Sequence, residues 1–219
     1  RTGIRLLIFE LIFKITKGIW ITPIKGEPNK SIKIPSKLFF VPFAVRINPS
    51  RKITNNNQIE VLSIGKFVER KNHLLLLKSV KKLISDQNKI HLTIIGECTT
   101  AEHNVFFDKV SEFIRINNIK RHITVKTNVP HNKIDKYYKS SDVFVLPATN
   151  EPASISILEA LGYGLPVICS NNCGTQYYIK EDFNGYIFND DSLDNLIYKM
   201  NLICSEENIK KLKKNISST

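Results

Sequence analysis

With 219 residues, 42% of them hydrophobic, the chain has material for a sizeable core and reads as one domain, or one domain with part of another. Lys and Arg number 32 against 20 Asp and Glu. The formal net charge of +12 calls for an anionic partner (a nucleotide, a nucleic acid or an acidic membrane surface) unless it only reflects a Lys-, Asn- and Ile-rich composition. No stretch spans a bilayer, and Cys98, Cys169, Cys173 and Cys204 lack the second pair or nearby histidine of a zinc site, so four free thiols in a reducing compartment are expected.

Residues 5–20, RLLIFELIFKITKGIW, have helical periodicity, with Glu10, Lys14 and Lys17 forming one polar stripe. They read first as a helix packed on a neighbouring domain and second as an interfacial membrane helix with basic edges. From Ile21 to Ser50 five prolines mark a linker region with short extended pieces, among them 38–45, LFFVPFAV, a strand interrupted by Pro42. From Glu60 onward the rhythm becomes strand, turn and helix in alternation. Strands are expected at 60–65, 91–96, 122–127, 142–148 and 165–170, and helices at 72–87, 102–117, 132–141 and 156–163. That alternation predicts an α/β fold, a Rossmann-like parallel sheet covered by helices on both faces.

In such sheets ligands bind beyond the carboxyl ends of the strands. The loops there are 65–72, 96–102, 127–132, 148–156 and 170–175. The first, GKFVERKN, turns at Gly65 and sets Lys66, Arg70 and Lys71 near a helix start, where cations are unfavourable unless an anion joins them. It lacks the second glycine and the Lys-Ser/Thr pair of a Walker loop, and no GxGxxG is present. Further on, EPASISILEALGYGLPV (151–167) places Glu151 beside Pro152 at the sheet edge and Glu159 in a first helical turn. Ser156 and Glu159 fit a capping box, which gives Glu159 a structural role as well. Glu151 has no such role, and a carboxylate there suits sugar hydroxyls, with the amides of Ala153, Ser154 and Ile155 offered to oxygen ligands.

Residues of about 60–200 resemble the C-terminal, nucleotide-sugar-binding half of a GT-B retaining glycosyltransferase of family 4, the glycosyl transferases group 1. Glu151 and Glu159 match its E-x7-E motif and EALGYGLPVICS its EA-x-x-x-G-x-PV run. GKFVERK matches G-R-x-x-x-x-K, IIGE (94–97) the strand-end glycine, and NGYIF (184–188) the NG-hydrophobic strand. The resemblance implies transfer of a sugar from a nucleotide diphosphate sugar to a glycan or lipid-linked acceptor with retention of configuration. Lys71 and Lys66 would bind the diphosphate beside Gly65, Glu151 the transferred sugar, Glu159 the ribose, and amides at Ala153, Ser154 and Ile155 sugar or phosphate oxygens. The base would meet backbone near Thr127–His131. Cations and a helix dipole would stabilise the leaving group, so no metal and no cofactor beyond the donor are expected. Asp190-Asp191 reads as too far down the chain to act as a metal-binding pair.

The departures are Lys66 for arginine, which loses a bidentate fork, Ala153-Ser154 for phenylalanine-glycine, Cys98 for glycine, and Gly174-Thr175 for a glycine pair. No histidine matches the family's catalytic one; His73, His91 and His122 read as structural or solvated, and His131 as a lining of the base loop. Residues 1–45 are expected to be the tail of an acceptor domain with the inter-domain connection, 46–219 the donor domain, and the closing helices to stop short after Ser205. Such a chain would bind a donor without transferring from it. Its location would be cytoplasmic, with peripheral contact at the inner face of a membrane. Rival readings are a GT-B sugar-nucleotide epimerase and a basic nucleic-acid-binding module. The latter needs exposed aromatics among the cations, whereas Phe106, Phe107, Tyr137 and Tyr138 read as helix faces turned to a core, so no nucleic acid is expected.

Overall fold

The computed structural model describes residues 58–86 and 88–217 together with two short strands, β1 (Trp20–Thr22) and β2 (Leu38–Phe40). The chain divides into two compact units, Arg1–Ala44 and Val45–Thr219. In the first, β1 and β2 pair in parallel, Trp20 opposite Leu38. The expected strand 38–45 is described only as β2, and the helix reading of 5–20 lies outside the described residues apart from Trp20, which is in a strand.

The second unit is one six-stranded sheet. Its strands are β3 (Ile59–Ile64), β4 (Ile90–Gly96), β5 (Ile123–Thr127), β6 (Val143–Leu146), β7 (Val167–Ser170) and β8 (Gly185–Phe188). They are all parallel, in the order β5-β4-β3-β6-β7-β8. The connecting helices are α1 (His73–Ser85), α2 (Ala101–Ile116), α3 (Asp135–Ser140), α4 (Ile155–Gly162), α5 (Leu193–Ile203) and α6 (Glu206–Ser217). Helix α6, 12 residues long, corrects the expectation that the closing helices stop after Ser205. Ile209 and Leu212, three residues apart on one face, are buried in the core while Lys210 and Lys211 between them are exposed, an amphipathic pattern that keeps the segment helical.

Strand alternation splits the core into two layers. Val61, Val143, Val145 and Ile168 face a cluster with Leu76, Leu77 and Val80 of α1, Phe106 and Val110 of α2, Leu196 and Met200 of α5 and Leu212 of α6. Leu62, Phe144, Leu146 and Val167 face the opposite cluster with Tyr138 of α3 and Ile157 and Ala160 of α4. Burying each such aliphatic side chain is worth roughly 1.5–3 kcal/mol, so the sheet is fixed from both faces. The strand order reverses between β3 and β6. A crevice therefore opens there at the carboxyl edge, flanked by the loops that follow those two strands.

Candidate functional site

The loop after β3 begins at Gly65 and ends in a 3-10 turn, Glu69–Lys71, closed by Asn72 in the left-handed region at φ 55°. Asn72 donates its amide to Glu69 O at 2.8 Å, and its side chain donates to Asp191 Oδ1 at 3.0 Å. Gly65 lets the Lys71 stem lie close: a Cβ there would sit 3.1 Å from Lys71 Cδ and push the stem outward. Gly96 is needed more acutely, since a Cβ would come within 2.5 Å of Phe67 Cε2 and 2.6 Å of Gly65 O. The two strand-end glycines thus let Phe67 and the Lys71 stem lie flat over the ends of β3 and β4. Beneath them His73 is fully buried, with Nε2 3.2 Å from both Gly65 O and Lys66 O, so Nε2 carries the proton and ties the turn to α1. Burial depresses its pKa to about 4, because Nδ1 is buried without a partner for a second proton.

The loop after β6 passes Asn150, also left-handed at φ 49°, and presents Glu151. Glu151 extends the sheet edge by bridging to Cys173: Gly174 N donates to Glu151 O at 2.8 Å and Glu151 N to Asn172 O at 3.3 Å. With its backbone held this way, the carboxylate meets the β3 loop. Lys71 Nζ donates to Glu151 Oε2 at 2.6 Å and Arg70 Nη1 donates to the same oxygen. Lys71 and Glu151 are 8% and 6% exposed, so this is a desolvated ion pair at the sheet's switch point.

The sequence placed Lys71 with phosphate and Glu151 with sugar hydroxyls; the fold puts the two in contact. Lys66 points elsewhere, exposed and 3.1 Å from Glu97 Oε2. The Thr99 hydroxyl, and after it Lys66, hold the Glu97 carboxyl below its ordinary range. Pro152 is exposed, Ala153 half-buried and Ser154 buried at the N-cap position of α4, whose first residue is Ile155. The capping box is absent. Ser156 lies inside the first turn and donates to Ile64 O at 3.2 Å, while Glu159 Oε2 instead accepts the Tyr138 hydroxyl at 2.8 Å. Because the N-cap of α4 is Ser154, two residues before Ser156, Glu159 is the fifth helical residue instead of the third, too far on to reach back to the cap. Its carboxylate is free of helix duty, and Tyr138, stacked on Tyr163 at 4.8 Å, orients it. Burial, then the Glu159 charge, raises the Tyr138 pKa, so the phenol stays a donor.

Asp190 and Asp191, remote along the chain, lie at this same edge. Asp190 Oδ2 accepts Thr149 Oγ1 at 2.7 Å and Asn172 Nδ2 at 2.8 Å, and Asp191 accepts Asn72. The sequence reading missed them because their approach depends on β7 and β8 completing the sheet. Among the described residues no group of three His, Cys, Asp or Glu is placed to hold a metal ion. The four cysteines are free. His91 bonds Glu60 and Thr124, and His122 bonds Ile90 O, as structural residues; His131 is exposed on the 3-10 turn His131–Lys133 after β5. No helix of the described residues is long and apolar enough to cross a membrane.

The family described as Glycosyl transferases group 1 matches residues 46–219. The chain is 26% identical over 216 residues to the Escherichia coli UDP-Gal:alpha-D-GlcNAc-diphosphoundecaprenol alpha-1,3-galactosyltransferase, covering 91% of this chain and 51% of that protein. It spans about half the length of the curated relatives it matches. Its fold is shared with the pneumococcal O-GlcNAc transferase GtfA, solved with UDP and GlcNAc, at a TM-score of 0.71 and 17% identity over 86% of this chain and 37% of that one. It is shared too with the C-terminal domain of the Francisella tularensis glycosyl transferase group 1 protein LpcC, at a TM-score of 0.68 and 18% identity over 80% of this chain and 95% of that domain. These likenesses carry the fold, an α/β Rossmann-like half of the GT-B architecture.

Proposed function

Since the chain belongs to the glycosyl transferases group 1 family, we propose that its crevice binds a nucleotide diphosphate sugar whose sugar is transferred, with retention of configuration, to a glycan or lipid-linked glycan. The observation that carries this reading is the buried Lys71–Glu151 pair at the switch point, 2.6 Å apart. An ion pair kept out of water is costly unless a further polar partner shares it. Arg70 shares Glu151 Oε2, and a diphosphate on the remaining Lys71 donors with sugar hydroxyls on Glu151 Oε1 completes the set. The start of α4 adds the unpaired first-turn amides at Ser154 and Ile155, and with them the positive end of its dipole. As the glycosidic bond breaks, charge grows on the departing diphosphate, and Lys71 and these amides stand where it develops. The base lies along the loop 127–132 and the ribose on Glu159. The relative from Escherichia coli acts on a diphosphoundecaprenol acceptor, which supports a lipid-linked acceptor and work at a membrane surface for this chain. Donor binding is the part of the reaction assigned to the residues of this crevice.

Calorimetric titration with UDP, GDP and ADP at two salt concentrations tests the reading. One diphosphate is expected to bind selectively with modest salt dependence. Lys71→Ala is expected to weaken it by about 1.5–3 kcal/mol, the worth of a charged hydrogen bond, while Arg70 keeps Glu151 partnered. Binding of duplex DNA that collapses with salt, and of no nucleotide, would refute it.

A further inference from the structure

Two cations converge on one carboxylate oxygen in this site. Arg70 and Lys71 both donate to Glu151 Oε2, so the cluster of three carries an excess positive charge. A guanidinium has five N–H donors and an ammonium three, and the bonds to Glu151 use one of each. The two cations differ in depth: the Lys71 side chain is 10% exposed and that of Arg70 45%. Lys71 is the floor of the crevice and Arg70 its mouth. Neither is free to wander, because the turn Glu69–Lys71 sets them side by side and Thr149 N donates to Arg70 O at 2.8 Å, pinning the backbone to the β6 loop.

Lys66, to which the sequence assigned the second phosphate contact, is turned to Glu97 on the loop after β4. We infer that Arg70 is the second diphosphate-binding cation, its guanidinium holding one phosphate group at the mouth of the crevice while Lys71 holds the other at the floor. This rests on the nucleotide-sugar reading above. A planar fork suits phosphate oxygens better than an ammonium does. The arrangement restores, from position 70, the bidentate geometry that Lys66 cannot supply. Glu151 Oε1, which takes neither of these bonds, is left for a sugar hydroxyl.

The experiment titrates the 219-residue chain with the nucleoside, its monophosphate and its diphosphate, for the parent and for the Arg70→Ala, Arg70→Lys, Lys71→Ala and Lys78→Ala variants. Arg70→Ala is expected to lower diphosphate affinity about tenfold and monophosphate affinity less than about threefold, and to leave the nucleoside unaffected. Arg70→Lys is expected to recover part of the loss. Lys78, exposed on α1, controls for the removal of one charge. Should Arg70→Ala melt well below the parent, Arg70→Gln takes its place, keeping the polar stem without the charge. Parent-like diphosphate binding by Arg70→Ala, with Lys71→Ala still weakened, overturns the inference and leaves the site reading intact. An equal loss for nucleoside and diphosphate also overturns it, by making Arg70 structural. A parent chain that binds no diphosphate overturns the site reading and this inference together.

Discussion

At Glu159 one oxygen is already engaged by the Tyr138 phenol at 2.8 Å, which fixes the carboxylate and leaves its other oxygen for a hydroxyl pair. Glu159→Gln is expected to weaken ribonucleotide binding by about 1–3 kcal/mol relative to the 2′-deoxy analogue. Tyr138→Phe should move the ratio in the same direction by less. An unchanged ribose preference in both variants would remove Glu159 from the ribose. His73 makes a second prediction, in stability. Its pKa falls from 6.5 to about 4 on folding, so the unfolded chain binds the extra proton first. Stability is therefore undiminished above about pH 6.5, declines as pH falls towards 4, and loses about 3 kcal/mol over that window. Chemical denaturation at pH 7 and pH 4.5, compared with His73→Asn, checks this; a parallel acid loss in the variant would assign it to other groups.

Among the elements, Gly185 shows how little tolerance the sheet edge has. A Cβ there would lie 2.0 Å from Val167 O, a backbone atom that cannot swing aside. Gly185→Ala is expected to part β8 from β7 and cost at least about 2 kcal/mol, measured as a lower denaturant midpoint with unchanged slope. The strands and most helices were legible in the sequence because each is an apolar run ended by a polar turn: 60–65 became Ile59–Ile64 and 91–96 became Ile90–Gly96. Helix 132–141 was only half legible. The structure breaks it into the turn His131–Lys133 and α3, and Tyr138, correctly read as facing a core, carries its hydroxyl out to Glu159. The site's members were legible as residue types; their contacts were not. Lys71 meets Glu151, and Asp190 meets Thr149, only because the strand order reverses between β3 and β6. Local pattern carries no trace of that order. The capping box failed for a related reason: the bonds of Ser156 and Glu159 go to β3 and α3, and tertiary partners outweighed a local motif.

At the largest scale, the crevice lies at the carboxyl edge of the six-stranded sheet, between the loops after β3 and β6, so a ligand bound there stabilises the folded Val45–Thr219 unit by mass action. A nucleoside diphosphate at about 100 times its Kd adds about 2.7 kcal/mol, expected as a rise in Tm of roughly 5–10 °C. Thermal melts with and without the nucleotide read it, and the rise should vanish in Lys71→Ala. The +12 charge is expected to act separately, by steering anions to the surface, with its effect in association rate and salt dependence more than in Tm. The pairing of Lys71 with Glu151 spans 80 residues of chain, and Glu151 itself is held by Asn172 and Gly174. During synthesis, then, a chain that has emerged only through β5 has no competence for nucleotide, because Glu151 is still to come. The Lys71–Glu151 pair with its backbone supports cannot form before Gly174 has emerged, and a nascent chain captured by nucleotide is one whose sheet is already past its point of reversal.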